Sequence, residues 1–159
     1  MTMKLEELRV NLKTLVETLL PGYNVKESLL PGAWWAVAYE GEVAVVISYA
    51  GKPKQGEGPV GTRVKERYVY RFAIAVCGED WAEPAGASYE AADVAETLFG
   101  SPNAAPGTPN LRNQSIGNVY GEEVYLRFVD EVPQAAPNSQ PDGGRFAWIQ
   151  TWETTEVRM

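Results

Sequence analysis

Between Arg67 and Cys77 large and small side chains alternate without a break. Tyr68, Tyr70, Phe72, Ile74 and Val76 fall on one parity, and Arg67, Val69, Arg71, Ala73, Ala75 and Cys77 on the other. A period of two is that of a β-strand, whose successive side chains point to opposite faces. The even set faces a core. The odd set runs from arginine to small residues, as a face does that leaves water and passes under a packed element. Upstream, Val43, Ala44, Val45, Val46, Ile47, Ser48 and Tyr49 are β-branched or apolar on both parities, the pattern of a central strand covered on both sides. Residues 51–61 between the two runs hold four glycines and two prolines, so they read as a loop and the runs as the arms of a long antiparallel hairpin.

Two helices flank this hairpin in sequence. Leu5, Leu8, Leu12, Leu15, Val16 and Leu19 recur at three- and four-residue spacing, and Pro21-Gly22 ends the pattern. Thr2 is the expected N-cap, and Glu6 and Glu7 suit the positive end of the helix dipole. A second helix is expected over residues 89–99. Ser88 is its N-cap, Ala91, Val94, Ala95, Leu98 and Phe99 form its apolar side, and Gly100 closes it. Residues 34–39 read as a short strand or irregular chain, and residues 101–110 as a loop. Val124, Leu126 and Phe128 alternate with polar neighbours, as do Phe146, Trp148 and Trp152 with theirs, which predicts two closing strands. Residues 131–144, with three prolines, are expected to be a long loop between them. The fold class expected is α+β, with helices on a mainly antiparallel four-stranded sheet in the order α-β-β-α-β-β, one domain over residues 1–159.

Composition narrows the chemistry. Fourteen Lys and Arg against 21 Asp and Glu give a net charge of −7, and there is no histidine. The absence of histidine removes Ser-His-Asp triads, His bases and most zinc sites. Acidity argues against a dedicated nucleic-acid binder. A lone cysteine, Cys77, forms no intrachain disulfide and reads as a small buried residue. No signal-peptide pattern opens the chain, and the longest apolar stretch, residues 43–50, is far short of the ~20 residues that span a bilayer. A protein folded in a reducing cytoplasm, with no membrane partner, is expected.

Each candidate for chemistry has a plainer explanation. Residues 56–61 match G-x-G-x-x-G letter for letter, but a strand follows them where a helix N-terminus is needed, and Pro59 removes an amide. The acids Glu79, Asp80 and Glu83, Glu122 and Glu123, and Asp130 and Glu131 lack recognisable ligand spacing and read as solvated loop ends. Asn113-Gln114-Ser115 is a glycosylation sequon, without meaning in a chain that is not secreted. No catalytic, cofactor-binding or metal-binding residue is expected, and no enzyme activity. The five tryptophans and eight tyrosines are more telling, because aromatic residues anchor protein interfaces. Trp34, Trp35, Lys52, Lys54, Arg67 and Arg71 are the residues expected in subunit or partner contacts.

The order of elements resembles that of the tail terminator, or tail completion, proteins of long-tailed bacteriophages, in particular the Mu-like minor tail protein group. The resemblance rests on the helix over residues 5–22 ending at Pro-Gly, the strand over 43–49, the Gly/Pro loop, the long strand over 68–79, the helix over 89–99 and two last strands. It implies a homohexameric ring that caps the tail tube, contacts tube protein, neck or connector protein and possibly tail sheath, and passes DNA through its lumen without binding it specifically. It places the protein in the virion, at the tail and neck. An acidic lumen lets DNA slide where a basic one would hold it. A head-side stopper or connector, and a small monomeric adaptor, are the alternatives.

Overall fold

The computed structural model describes residues 4–38, 42–51, 67–79, 86–119, 121–137, 144–155 and 157–158. The elements are α1 (Lys4–Leu19), β1 (Asn24–Glu27), α2 (Trp34–Val37, entered through a 3-10 turn at Pro31–Ala33), β2 (Ala44–Gly51), β3 (Arg67–Tyr68), β4 (Arg71–Gly78), α3 (Gly86–Phe99), β5 (Ser115–Val119), β6 (Glu122–Ala135), β7 (Phe146–Thr154) and β8 (Val157–Arg158). The mixed α+β class is as expected, but the sheet has six strands rather than four, in the order β1-β2-β4-β7-β6-β5. β1 runs parallel to β2, and every other pairing is antiparallel. β3 and β8 form a separate two-stranded ladder.

The β2–β4 pairing expected of a hairpin is present, with Ala44 opposite Cys77 and Tyr49 opposite Phe72. β4 pairs on its other side with β7, so the alternating run lies at the centre of the sheet. On one face Phe72, Ile74 and Val76 join Val45 and Ile47 of β2 and Trp152 of β7 in the main core. α1 supplies Leu8, Leu12 and Val16 to that core, and α3 supplies Ala91, Val94, Ala95 and Leu98. The leucine spacing of α1 therefore does what its period predicts. Both outermost strands, β1 and β5, lie against α1, so the sheet curls around its helices. Asn11 of α1 donates to the Ile116 carbonyl at 2.8 Å and covers the β5 edge.

α3 sits unusually close to the sheet at one point. A Cβ on Gly78 would lie 2.8 Å from the Ala91 Cβ and 3.0 Å from the Phe146 ring, so only glycine fits. α3 also starts earlier than expected, at Gly86, and Ser88 is buried within its first turn rather than capping it. The expected cap Thr2 lies outside the described residues.

One buried polar side chain crosses this core. Gln150 of β7 is fully buried; its Nε2 donates to the Ala95 carbonyl at 2.8 Å and to Glu131 Oε1 at 2.9 Å, and its Oε1 accepts from Trp152 Nε1 at 3.0 Å. It ties α3, β6 and β7 together and leaves none of its strong groups unpaired, which is the condition for keeping an amide in a core.

The opposite face of the sheet has its own small core. Ala44, Val46, Ala75, Cys77 and Ala147 form a shallow floor, and Trp34 of α2 lies on it. Residues 34–37 are thus a short helix, neither strand nor irregular chain. The small odd-numbered residues of β4 leave the depth that an indole ring needs. Trp34 Nε1 also donates to Gln134 Oε1 of β6 at 2.8 Å. Arg145 Nη1 donates to the carbonyls of Trp35 at 3.1 Å and Ala38 at 2.7 Å, which holds the C-terminal end of α2. Truncating a large aromatic in such a site costs about 3–5 kcal/mol. Trp34→Ala is therefore expected to lower the unfolding free energy by about that amount in urea titration, whereas Trp35→Ala, at a partly exposed position, should cost less than about 1.5 kcal/mol.

Candidate functional site

The six residues expected in contacts do not form one site. Trp34 is 1% exposed and belongs to the fold, so it presents no surface to a partner. That corrects the expectation drawn from its position after a turn: the row of small residues on β4 draws it inward. Trp35 is 37% exposed and remains at the surface beside the exposed Leu29 and Leu30 in sequence. Lys52 and Lys54 lie outside the described residues, as do residues 56–61. Arg67 lies in β3, its backbone in register with Arg158. Arg71 is not free: its Nε sits 3.1 Å from Glu153 Oε2, while Arg127 Nη2 sits 3.2 Å from Glu153 Oε1. One carboxylate therefore bridges arginines on β4 and β6, the strands either side of β7. Arg71 and the Trp34 floor lie at opposite ends of the sheet. Six residues separate Arg71 from Cys77, roughly 20 Å of extended chain.

Cys77 is buried on the floor under α2, and burial pushes its thiol up to about 12, with Arg145 opposing in part. A neutral buried thiol is a poor nucleophile. Among the described residues, no group of three or more Cys, Asp and Glu is placed to hold a metal ion. Of the acidic clusters, Glu122, Glu123, Asp130 and Glu131 are exposed on β6, and Asp80 and Glu83 lie outside the described residues.

A groove of about 510 Å³ opens between α1 and the end of β1, lined by Leu5, Glu6, Arg9, Glu27, Leu29 and Tyr49. Arg9 and Glu27 form an ion pair there. The groove is mostly apolar and offers no set of convergent reactive groups.

The surface that stands out is β6. Residues 131–135, expected in a loop, continue this strand, which runs for 14 residues. A bulge at Val129 explains why the sequence conceals this. Phe128 faces Trp152, but Asp130 faces Thr151, so the alternation changes parity and the strand pattern breaks. Beyond the bulge β6 pairs with β7 as far as Ala135 opposite Phe146. On its other side β5 pairs only as far as Tyr125, and residues 113–114 extend the ladder to Leu126. Among the described residues, no strand pairs with the outer edge of β6 from Phe128 onward. All seven residues 129–135 are exposed, including Val129 and Val132. An open strand edge of this length presents unpaired backbone groups, which are templates for another chain. Asp130, Glu131 and Pro133 lie on it, residues that discourage indiscriminate pairing.

Neither a family model nor a curated protein matches the sequence. Among the solved structures that match, one aligns over 97% of this chain and 97% of its own at 10% identity, with a TM-score of 0.44. At that TM-score the likeness assigns neither fold nor function.

The thiol provides a direct check on the α2 floor. Cys77 keeps its proton in the folded state up to about 12, whereas in the unfolded chain it loses it near 9. Between those values the folded state binds more protons, so this residue's contribution to stability falls as pH rises. Cys77→Ala is expected to make the decline in urea stability from pH 9 to 11 shallower, and native Cys77 is expected to react with a thiol reagent at pH 8 at least tenfold more slowly than the unfolded chain.

Proposed function

We propose that this chain is a structural assembly protein, a tail terminator of a long-tailed bacteriophage that acts as a homohexameric ring between tail tube and neck. The observation that carries the assembly reading is the open edge of β6, seven consecutive exposed residues on a strand that has no partner on one side among the described residues. A ring needs two different surfaces on each subunit, one meeting the other on the next copy. The exposed β6 edge is a candidate for one of them. The order of elements along the chain supports the phage reading, and the charge of −7 suits a lumen through which DNA slides.

Light scattering on a sizing column, at low and high concentration, tests this. Six copies of 17.5 kDa give about 105 kDa, the mass expected of the ring. Added to purified tail tubes from a candidate phage, the protein is expected to bind one tube end and stop elongation. A ring that binds isolated neck or connector complexes and ignores tubes would favour the head-side stopper. A chain that stays monomeric with both would overturn the assembly reading.

A further inference from the structure

We propose that the open β6 edge is the docking site for residues 52–66 of a second copy of this chain, laid beside it as an added strand. This rests on the assembly reading above and names the surfaces through which the copies join.

The edge selects its partner by charge. Beyond the bulge it carries Asp130 and Glu131 between the exposed apolar Val129 and Val132, and no lysine or arginine as far as Ala135. Arg127, at the start of the run, is paired with Glu153. Two such edges laid against each other would bring four carboxylates together, and like charges across a strand pair are unfavourable. The edge therefore disfavours its own copy and calls for a basic strand. The chain holds one segment of that kind. Residues 52–66 contain Lys52, Lys54, Arg63 and Lys65 against Glu57 and Glu66, a net +2. The other ten bases and nineteen acids leave −9 elsewhere. The positive charge is thus concentrated in 15 residues of an otherwise acidic chain.

The connections agree. The segment leaves β2 after Gly51, in the row that contains Arg71, Glu153 and Arg127. The open edge begins at that row and runs away from it, since β6 is oriented opposite to β2. An edge on one copy and a segment on the other are different surfaces, so the contact is head-to-tail, the kind that closes a ring where the rotation between copies returns to the start. Strand addition supplies backbone hydrogen bonds for affinity, and the charges set the choice of partner.

The test uses the full chain and two variants, D130K/V132K and K52E/K54E/R63E/K65E. The first leaves Glu131 and its bond to Gln150 intact. Circular dichroism melting confirms that each variant folds. By native mass spectrometry, each alone is expected to associate at least tenfold more weakly than the unsubstituted chain. An equimolar mixture is expected to regain association as complexes that alternate the two variants, because each then offers the other an opposite charge. Raised salt should weaken the unsubstituted complex. The proposal is overturned if either variant associates like the unsubstituted chain, if the mixture fails to recover, or if the unsubstituted chain is monomeric at low salt and high concentration, as it would be were the segment docked on its own edge or another protein the occupant. A ring that survives the substitutions overturns this docking but leaves the ring. A mixture that reassembles and does not cap tubes overturns the terminator reading but leaves the docking.

Discussion

The structure depends on the unequal depth of the two faces of β4. On one side Phe72, Ile74 and Val76 reach into the space between the sheet and helices α1 and α3. On the other, Ala75 and Cys77 recede, and one large side chain, Trp34, fills the space they leave. Close packing makes these two facts inseparable, because a shallow floor with no ring above it is a void, and a ring with no shallow floor has nowhere to go. Everything near α2 follows from this seating. Gln134 meets the indole N–H, and Arg145 meets the carbonyls at the helix end. Lys26 Nζ reaches the Val37 carbonyl at 3.4 Å and Glu42 Oε2 at 2.7 Å, which binds β1 to the same corner.

The polar side chains within the sheet are organised around bridges between strands. Gln150 joins β6, β7 and α3 on the core side, and Glu153 joins β4, β6 and β7 at the far end of the other face. The first is fully desolvated and contributes mainly by leaving no group unpaired. The second is partly exposed, so screening by water keeps it a modest contributor to stability. Its larger effect is to occupy both arginines, which leaves the outer half of β6 acidic.

Much of this was legible in residue spacing. The leucines of α1, the pairing of β2 with β4 and the burial of Phe146 and Trp152 on one strand face all follow from period and hydrophobicity. β1 was missed because Asn24-Val25-Lys26-Glu27 is short and polar, and it is a strand only because β2 supplies a parallel ladder. β5 was missed because Gly117 and Asn118 interrupt it, and tertiary contact with α1 overrides their low strand propensity. The burial of Trp34 had a signal in the sequence, the small odd-numbered residues of β4, but nothing there says which element covers them. The surface singled out as functional was the least legible part, since Asp130, Glu131 and Pro133 are residues that ordinarily mark a loop.

The bulge at Val129 has a consequence for how such a surface changes over evolutionary time. It sets the phase of every side chain from Asp130 to Ala135: Gln134 reaches Trp34, and Glu131 reaches Gln150, only because one residue is spare. Deletion of that single residue would leave Asp130 opposite Thr151 and every later pair in place, whereas pairing the full sequence without a bulge would set Asp130 opposite Gln150 and exchange the upward and downward side chains of the outer half of the strand. A lineage carrying this fold can therefore lose one residue at this point and still present the same face of the outer strand to its neighbours.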